Sequence, residues 1–314
     1  MTQKTMGTIS TSLFQRKQWD VMPPLLAAAV VGFVCLLGWA DGAHGEPSKT
    51  AHPFATLQQR LIGDGLDRSL INHVYGRPEV TLDEKGLTAY FLHREATLDY
   101  DQFLTSSSID KAKDYLKKHG AALEHAQSLY GVEGEVVTAI LLVESRLGTF
   151  VSKRLVLNTL SSLASLDETA KRDMLWHTYI KKRAPTSKDR FDRWALRKSA
   201  WAYGELQAYL TYVKEQNVDP VSVYGSYAGA LGFAQFIPSS ILKFGRDGNK
   251  DGQINLYEHT DAIESVANYL KQHGWKPGLK RDEAFRIVLC YNRSSYYADT
   301  ILKVAERLAR PGPR

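Results

Sequence analysis

Residues 131–148 read GVEGEVVTAILLVESRLG. Five apolar side chains, Ala139, Ile140, Leu141, Leu142 and Val143, run directly into Glu144. The apolar pattern over residues 136–147 predicts a buried helix, and Gly148 is its stop signal. Carboxylates are rare inside such runs, because the charged form gives up water at high cost unless it is paired. Burial favours the protonated acid, which makes Glu144 a candidate general acid for protonating a leaving oxygen. The plainer alternatives are a salt bridge from Glu144 to Arg146 or Arg154, or a side chain that emerges at the helix end.

The rest of the chain repeats the helical period. Residues 56–75 carry apolar positions at Leu57, Leu61, Leu66, Leu70 and Ile71. Residues 78–90, PEVTLDEKGLTAY, are the least helical and are the place for an extended segment. Ser108 is placed to cap a helix through Ala112, Tyr115 and Leu116. Further helices are expected over 155–166, 167–180 and 192–213, the last with Trp194, Trp201, Leu206 and Leu210 toward the core. The basic run KKRAPTSKDR between them reads as a solvated loop. Helical patterns over 262–273 and 283–308 close the chain. Strand signals are almost absent, so the fold class is all-α.

The length of 314 residues suits one large domain or two small ones. A net charge of +6 is too diffuse to imply nucleic acid, and no nucleic-acid motif is present. The N-terminus carries a different message. A polar, basic stretch precedes PLLAAAVVGFVCLLGWA, an uncharged run over residues 24–40. Polar and small residues follow, with Ala43 and Gly45 spaced like a cleavage site before Glu46. Residues 1–45 therefore read as a signal peptide or a membrane anchor, 46–55 as a linker, and 56–314 as the functional domain. Export to the periplasm is the expectation, as a soluble or an anchored protein, with inner- or outer-membrane association through the N-terminus. Cys35 lies in the apolar run and Cys290 stands alone, so the exported part has no intramolecular disulfide.

Another source of stability is legible at residues 247–258, DGNKDGQINLYE. Asp247, Asn249 and Asp251 fall on positions 1, 3 and 5 of an EF-hand pattern, with Gly252 at the turn. Gln253 supplies a backbone carbonyl, Ile254 an anchor to the core, and Glu258 a final carboxylate. A calcium ion in a structural role is expected. A sensor is a weaker fit, since the loop is single and the chain has only four methionines.

Two further stretches bear on Glu144. In GSYAGALGFAQFIPSS, residues 225–240, Ser226, Tyr227, Gln235 and Phe236 stand among small residues that admit close backbone approach. Hydroxyls, amides and aromatic faces suit a sugar ring, although close helix packing is the commoner reason for such small residues. YNRSSYY, residues 291–297, adds Tyr291, Asn292, Ser294, Tyr296 and Tyr297.

Taken together, GVEGEVVTAILLVESRLG, GSYAGALGFAQFIPSS and DGNKDGQINLYEHTDAIESVANYLKQHGW followed by YNRSSYYA resemble the membrane-bound lytic transglycosylase B family, in order and in spacing. The resemblance covers roughly residues 104–309. It implies a lysozyme-like helical fold and an exported enzyme acting on peptidoglycan glycan strands. It implies cleavage of the β-1,4 bond between N-acetylmuramic acid and N-acetylglucosamine without water, leaving 1,6-anhydro ends. Glu144 takes the place of the single acid/base. Ser226, Gln235, Phe236, Tyr269, Tyr291, Asn292 and Tyr297 fall at or beside cleft positions. Asp247, Asn249, Asp251 and Gln253 match calcium ligands, and the last ligand falls on Asp261 by resemblance but on Glu258 by the EF-hand pattern. No organic cofactor is implied. Two departures stand out. About fifteen residues separate HGW from YNRSSYY, where some relatives carry a long insertion. Leu147 stands where some relatives have a bulky aromatic. A goose-type lysozyme using water and a non-catalytic peptidoglycan-binding protein are the alternatives.

Overall fold

The computed structural model describes residues 52–93 and 99–310. The signal or anchor segment and residues 46–51 of the linker lie outside the described residues. Among the described residues no single helix is long and apolar enough to cross a membrane.

The architecture is helical, as the periodicity predicts. The stretch expected as one helix over 56–75 is two, α1 (Ala55–Gly63) and α2 (Arg68–Tyr75). The chain turns between them, and the Asp67 side chain accepts the Leu70 N–H to start the second. Residues 78–90 are not mainly extended. Helix α3 (Glu84–Leu92) occupies their second half, because Asp83 caps it by accepting from the Gly86 N–H. Helix α4 (Ser106–Lys118) is capped by Thr105, whose hydroxyl accepts from Ser108 N, so Ser108 lies inside the helix. Helices α5 (Gly120–Tyr130) and α6 (Gly134–Ser145) follow.

Two helices form the centre. In α6 every residue from Val136 to Ser145 is buried. In α7 (Val156–Ala164) all nine residues are buried, including Asn158, Thr159, Ser161 and Ser162. Two of the polar ones are matched to partners: Ser161 meets the Tyr75 hydroxyl at 2.8 Å, and Ser162 accepts from Asp83 N at 2.8 Å. After α8 (Thr169–Leu175), a π turn over Trp176–Ile180 ends the segment expected as one helix over 167–180. Helix α9 (Lys188–Glu215) is longer than its apolar pattern, because Ser187 caps it four residues earlier. At 28 residues it spans about 42 Å and packs along α7. Leu206 and Leu210 are buried and Trp194 and Trp201 half-buried.

Helices α10 (Pro238–Phe244) and α11 (His259–Gln272) flank the acidic loop. The expected final helix over 283–308 is broken into α12 (Arg281–Tyr291) and α13 (Ser295–Leu308). Asn292 takes an extended conformation there, and Ser294 caps α13 by accepting from Tyr297 N. Among the described residues, strand is confined to a two-residue ribbon, β1 (Arg154–Leu155) against β2 (Tyr224–Gly225), antiparallel with Arg154 opposite Gly225.

Candidate active site and metal loop

Glu144 sits one residue from the end of α6 and is 2 % exposed. Directly after the helix, Arg146, Leu147 and Gly148 all adopt positive φ, which reverses the chain within three residues. Their strain is held by bonds on both sides. Arg146 N and Leu147 N donate to the carbonyls of Leu142 and Leu141, and Gly148 N donates to the Ser145 hydroxyl. The guanidiniums that the sequence offers to Glu144 have other bonds: Arg146 donates to Gln102 at 2.8 Å, and Arg154 pairs with Asp83.

The carboxyl is met from α13, 153 positions along the chain. Tyr297 O–H donates to Glu144 Oε1 at 2.6 Å. Tyr297 is fully buried, so it faces the acid and offers no surface to a ligand, in contrast to its expected place among substrate contacts. Burial first, and then the neighbouring Glu144, raise the phenol pKa values of Tyr297 and Tyr291 well above their usual range. Both therefore remain neutral hydroxyl donors.

Behind this pair lies an aromatic wall. The Tyr291 ring stacks on Tyr297, 6.3 Å between centroids and 13° apart in plane. Tyr269 meets Tyr291 edge-on at 4.9 Å, and Phe236 lies 5.5 Å from Tyr269 and 5.8 Å from Tyr291. Tyr291 O–H donates to the Ala234 carbonyl and Tyr269 O–H to the Cys290 carbonyl. The first bond ties the end of α12 to the irregular loop of residues 224–237, and the second ties α11 to α12. Asn292, 2 % exposed, accepts from Ser294 N and braces the break, while its Nδ2 is buried without a hydrogen-bond partner.

The small residues of that loop do what close packing requires. A Cβ at Gly232, where φ is +74°, would fall 2.3 Å from Leu256 Cβ. The Ser226 hydroxyl accepts from Ala228 N and Ala230 N, so it stabilises its own turn. Gln235 is one of five non-glycine residues with positive φ among those described. Its side chain donates to Gly232 O at 2.8 Å, and only 8 % of the residue is exposed. The two residues share one loop with Phe236, which joins the Tyr291 wall. Tyr227 packs on Tyr90 at 5.3 Å and on His93 at 5.4 Å.

The acidic loop folds on its own amides. Asp247 accepts from Asp251 N and Gly252 N, Asn249 Oδ1 from Asp251 N, and Asp251 Oδ1 from Gln253 N. Gly252 has the φ of +90° that the turn demands. Asp261, on α11, is fully buried and reaches back into the loop, accepting from Gly248, Asn249 and Asn255 N–H groups. Glu258 is exposed at the start of α11. Burial raises the Asp261 pKa, with repulsion from Asp247 adding to it against those three bonds. This all-oxygen donor set suits a hard cation, although no three Asp, Glu, His or Cys side chains among the described residues converge as a ready-made metal site.

The Tyr297–Glu144 contact was hidden in a sequence that names both residues but not their meeting. Tyr100, which adds to the electrostatics at Tyr297, carried no signal at all.

The structure thus combines a helical fold with a buried acid near the end of a core helix, close to an aromatic wall. Residues 49–284 match the transglycosylase SLT domain family, and the chain belongs to that family. Among curated proteins, membrane-bound lytic murein transglycosylase B of Escherichia coli K12 is 32 % identical over 177 residues. That alignment covers 56 % of this chain and 41 % of the relative, so the chain spans less than half of that protein's length. The fold matches the Escherichia coli lytic transglycosylase Slt35 solved in complex with calcium. The TM-score is 0.64 at 22 % identity, over 82 % of this chain and 93 % of that one. Pseudomonas aeruginosa SltB3 in complex with NAG-anhNAM-pentapeptide also matches, with TM-score 0.64 and 20 % identity over 80 % and 78 % of the two chains.

Proposed function

We propose that this chain is a lytic murein transglycosylase. It cleaves the β-1,4 bond between N-acetylmuramic acid and N-acetylglucosamine in peptidoglycan and leaves 1,6-anhydro-muramoyl ends. The observation that carries the reading is Glu144, 2 % exposed at the end of an apolar helix and hydrogen-bonded to Tyr297. The family membership and the anhydro-sugar complex of SltB3 support it.

Most glycosidases divide the work between two carboxylates. Here one suffices, because the substrate supplies its own nucleophile. Protonated Glu144 donates to the glycosidic oxygen as the C1–O bond breaks, and the N-acetylglucosamine hydroxyl leaves neutral. Glu144, now a carboxylate, takes the proton from the C6 hydroxyl, and that oxygen bonds to C1. One bond breaks, one forms, the acid is regenerated and no water enters. Tyr297 donates to Oε1, which steadies the carboxylate between the two steps. Ser226, Gln235, Phe236, Tyr269, Tyr291 and Asn292 line the glycan side of this site, with Asn292 Nδ2 as an oriented donor toward the reacting sugar.

A calcium ion held by Asp247, Asn249, Asp251, the Gln253 carbonyl and Asp261 stabilises the fold in place of a disulfide. Asp261 is favoured over Glu258 because only Asp261 is drawn into the loop. The protein is exported to the periplasm, soluble or anchored through residues 24–40.

The test is to digest purified sacculi and weigh the products. Anhydro ends are expected. Reducing ends would make the chain a hydrolase of goose-type lysozyme kind, and binding without turnover would make it a peptidoglycan-binding protein.

A further inference from the structure

A cavity of about 630 Å³ lies between α4, the 146–149 turn and the start of α11. Leu142 lines it, and two residues of helix turn Leu142 and Glu144 about 200° apart, so the cavity is on the flank of α6 away from the acid. Phe103, Leu142 and Leu147 make an apolar floor. One wall is Tyr115, His119 and His259, with the Tyr115 hydroxyl 3.0 Å from His259 Nδ1 and the two imidazoles 4.3 Å apart. Nε2 of His119 is buried without a hydrogen-bond partner. Burial lowers the pKa of His119 to about 4, so its imidazole is neutral at pH 7. Lys111, Lys118 and Arg146 stand at the rim against a single carboxylate, Asp114.

We propose that this cavity binds the acidic stem peptide borne by peptidoglycan strands, apart from the site that cuts the glycan. The proposal rests on the reading of peptidoglycan as the substrate. Three cations against one carboxylate call for an anionic ligand, and a stem peptide carries free carboxylates, while the lactyl carboxyl of the muramoyl unit that bears it is tied up as an amide. The volume is that of a small-ligand site, enough for a short peptide and too little for a folded partner. The aromatic rings of the wall pack on one another, an arrangement that leaves little flat face for sugar stacking. The apolar floor accepts alanine methyl groups, and His119 Nε2 offers a hydrogen bond to a peptide amide.

The probe is a soluble stem tetrapeptide with free carboxylates, titrated into the full-length protein by calorimetry and by NMR. Wild-type protein is expected to bind it, and the Lys111→Ala/Lys118→Ala double variant to bind at least tenfold more weakly. Leu147→Trp fills the floor and is expected to remove binding, while Glu144→Gln binds as wild type does. On peptide-bearing strands the double variant raises KM at least tenfold with kcat held, and on peptide-free strands it changes neither. Equal affinity in the double variant, no binding by wild type at millimolar peptide, or preference for anionic phospholipid vesicles over the peptide would overturn the proposal. A wild-type protein that binds peptide but leaves sacculi uncut would refute the catalytic reading alone.

Discussion

Glu144 and Asp261 are both carboxyls removed from water, 2 % and 0 % exposed, yet their surroundings prepare them for opposite tasks. Glu144 ends an apolar helix and takes a hydroxyl from a neutral, buried phenol. Asp261 takes three backbone N–H groups from a loop that already holds Asp247, Asn249 and Asp251. At Asp261 three backbone amides support the charged form against burial, which still raises its pKa, whereas a single phenol hydroxyl meets Glu144. In the proposed function the environment of Glu144 serves proton transfer and that of Asp261 serves a cation. Burial alone therefore says little about what a carboxyl does, and its partners say much.

The comparison breaks most sharply at Glu144. Replacing it by Gln keeps shape and burial but removes the transferable proton, so turnover on sacculi should fall by a factor of about 10³ or more. The melting temperature should barely move. Retained turnover would show that the acid lies elsewhere. Tyr297→Phe is the next step down. Losing one hydrogen bond to a charged group costs about 1.5–3 kcal/mol, so kcat should drop roughly ten- to a hundredfold, with KM little changed. An unchanged kcat would reduce Tyr297 to packing.

On the other side of the comparison, chelation should lower the melting temperature while any residual activity persists at low temperature. Asp261→Asn should abolish the calcium-dependent part of that shift, and Glu258→Gln should leave it intact, as read by thermal denaturation with and without calcium. The reverse pattern would return the final ligand to Glu258. The raised pKa of Asp261 adds a sign to this experiment. The native state holds that proton more tightly than the unfolded chain does, so calcium-free stability should decline as pH rises past the ordinary carboxylate range.

The smallest expected effect belongs to the imidazoles. His119 has its folded pKa lowered from 6.5 to about 4. Between those values the unfolded chain binds the extra proton, so this contribution to stability is full above pH 6.5 and fades as pH falls toward 4. His119→Gln should flatten the pH dependence of the melting temperature in that window, and an unaltered slope would place the titration elsewhere.

Much of this was legible because it is local. The helical period, the Asp/Asn/Gly spacing of the acidic loop and the misfit of Glu144 in its apolar run all depend on neighbours within a dozen residues. Helix ends were harder, since Asp83, Thr105 and Ser187 cap helices outside the apolar pattern that announces them. The loop of residues 224–237 was read for its chemistry, yet the Ser226 and Gln235 side chains spend bonds on their own turn.

By itself, the sequence determined an all-helical chain, a buried carboxyl at one helix end and an oxygen-rich loop, because side-chain periodicity and turn chemistry act over short separations. Only the tertiary structure decided that Tyr297 meets Glu144, that Asp261 enters the loop while Glu258 stays outside, and that Lys111, His119, Leu147 and His259 enclose one cavity. Those are contacts between elements far apart in the chain. They are chosen by which apolar faces pack together, and no local pattern records that choice.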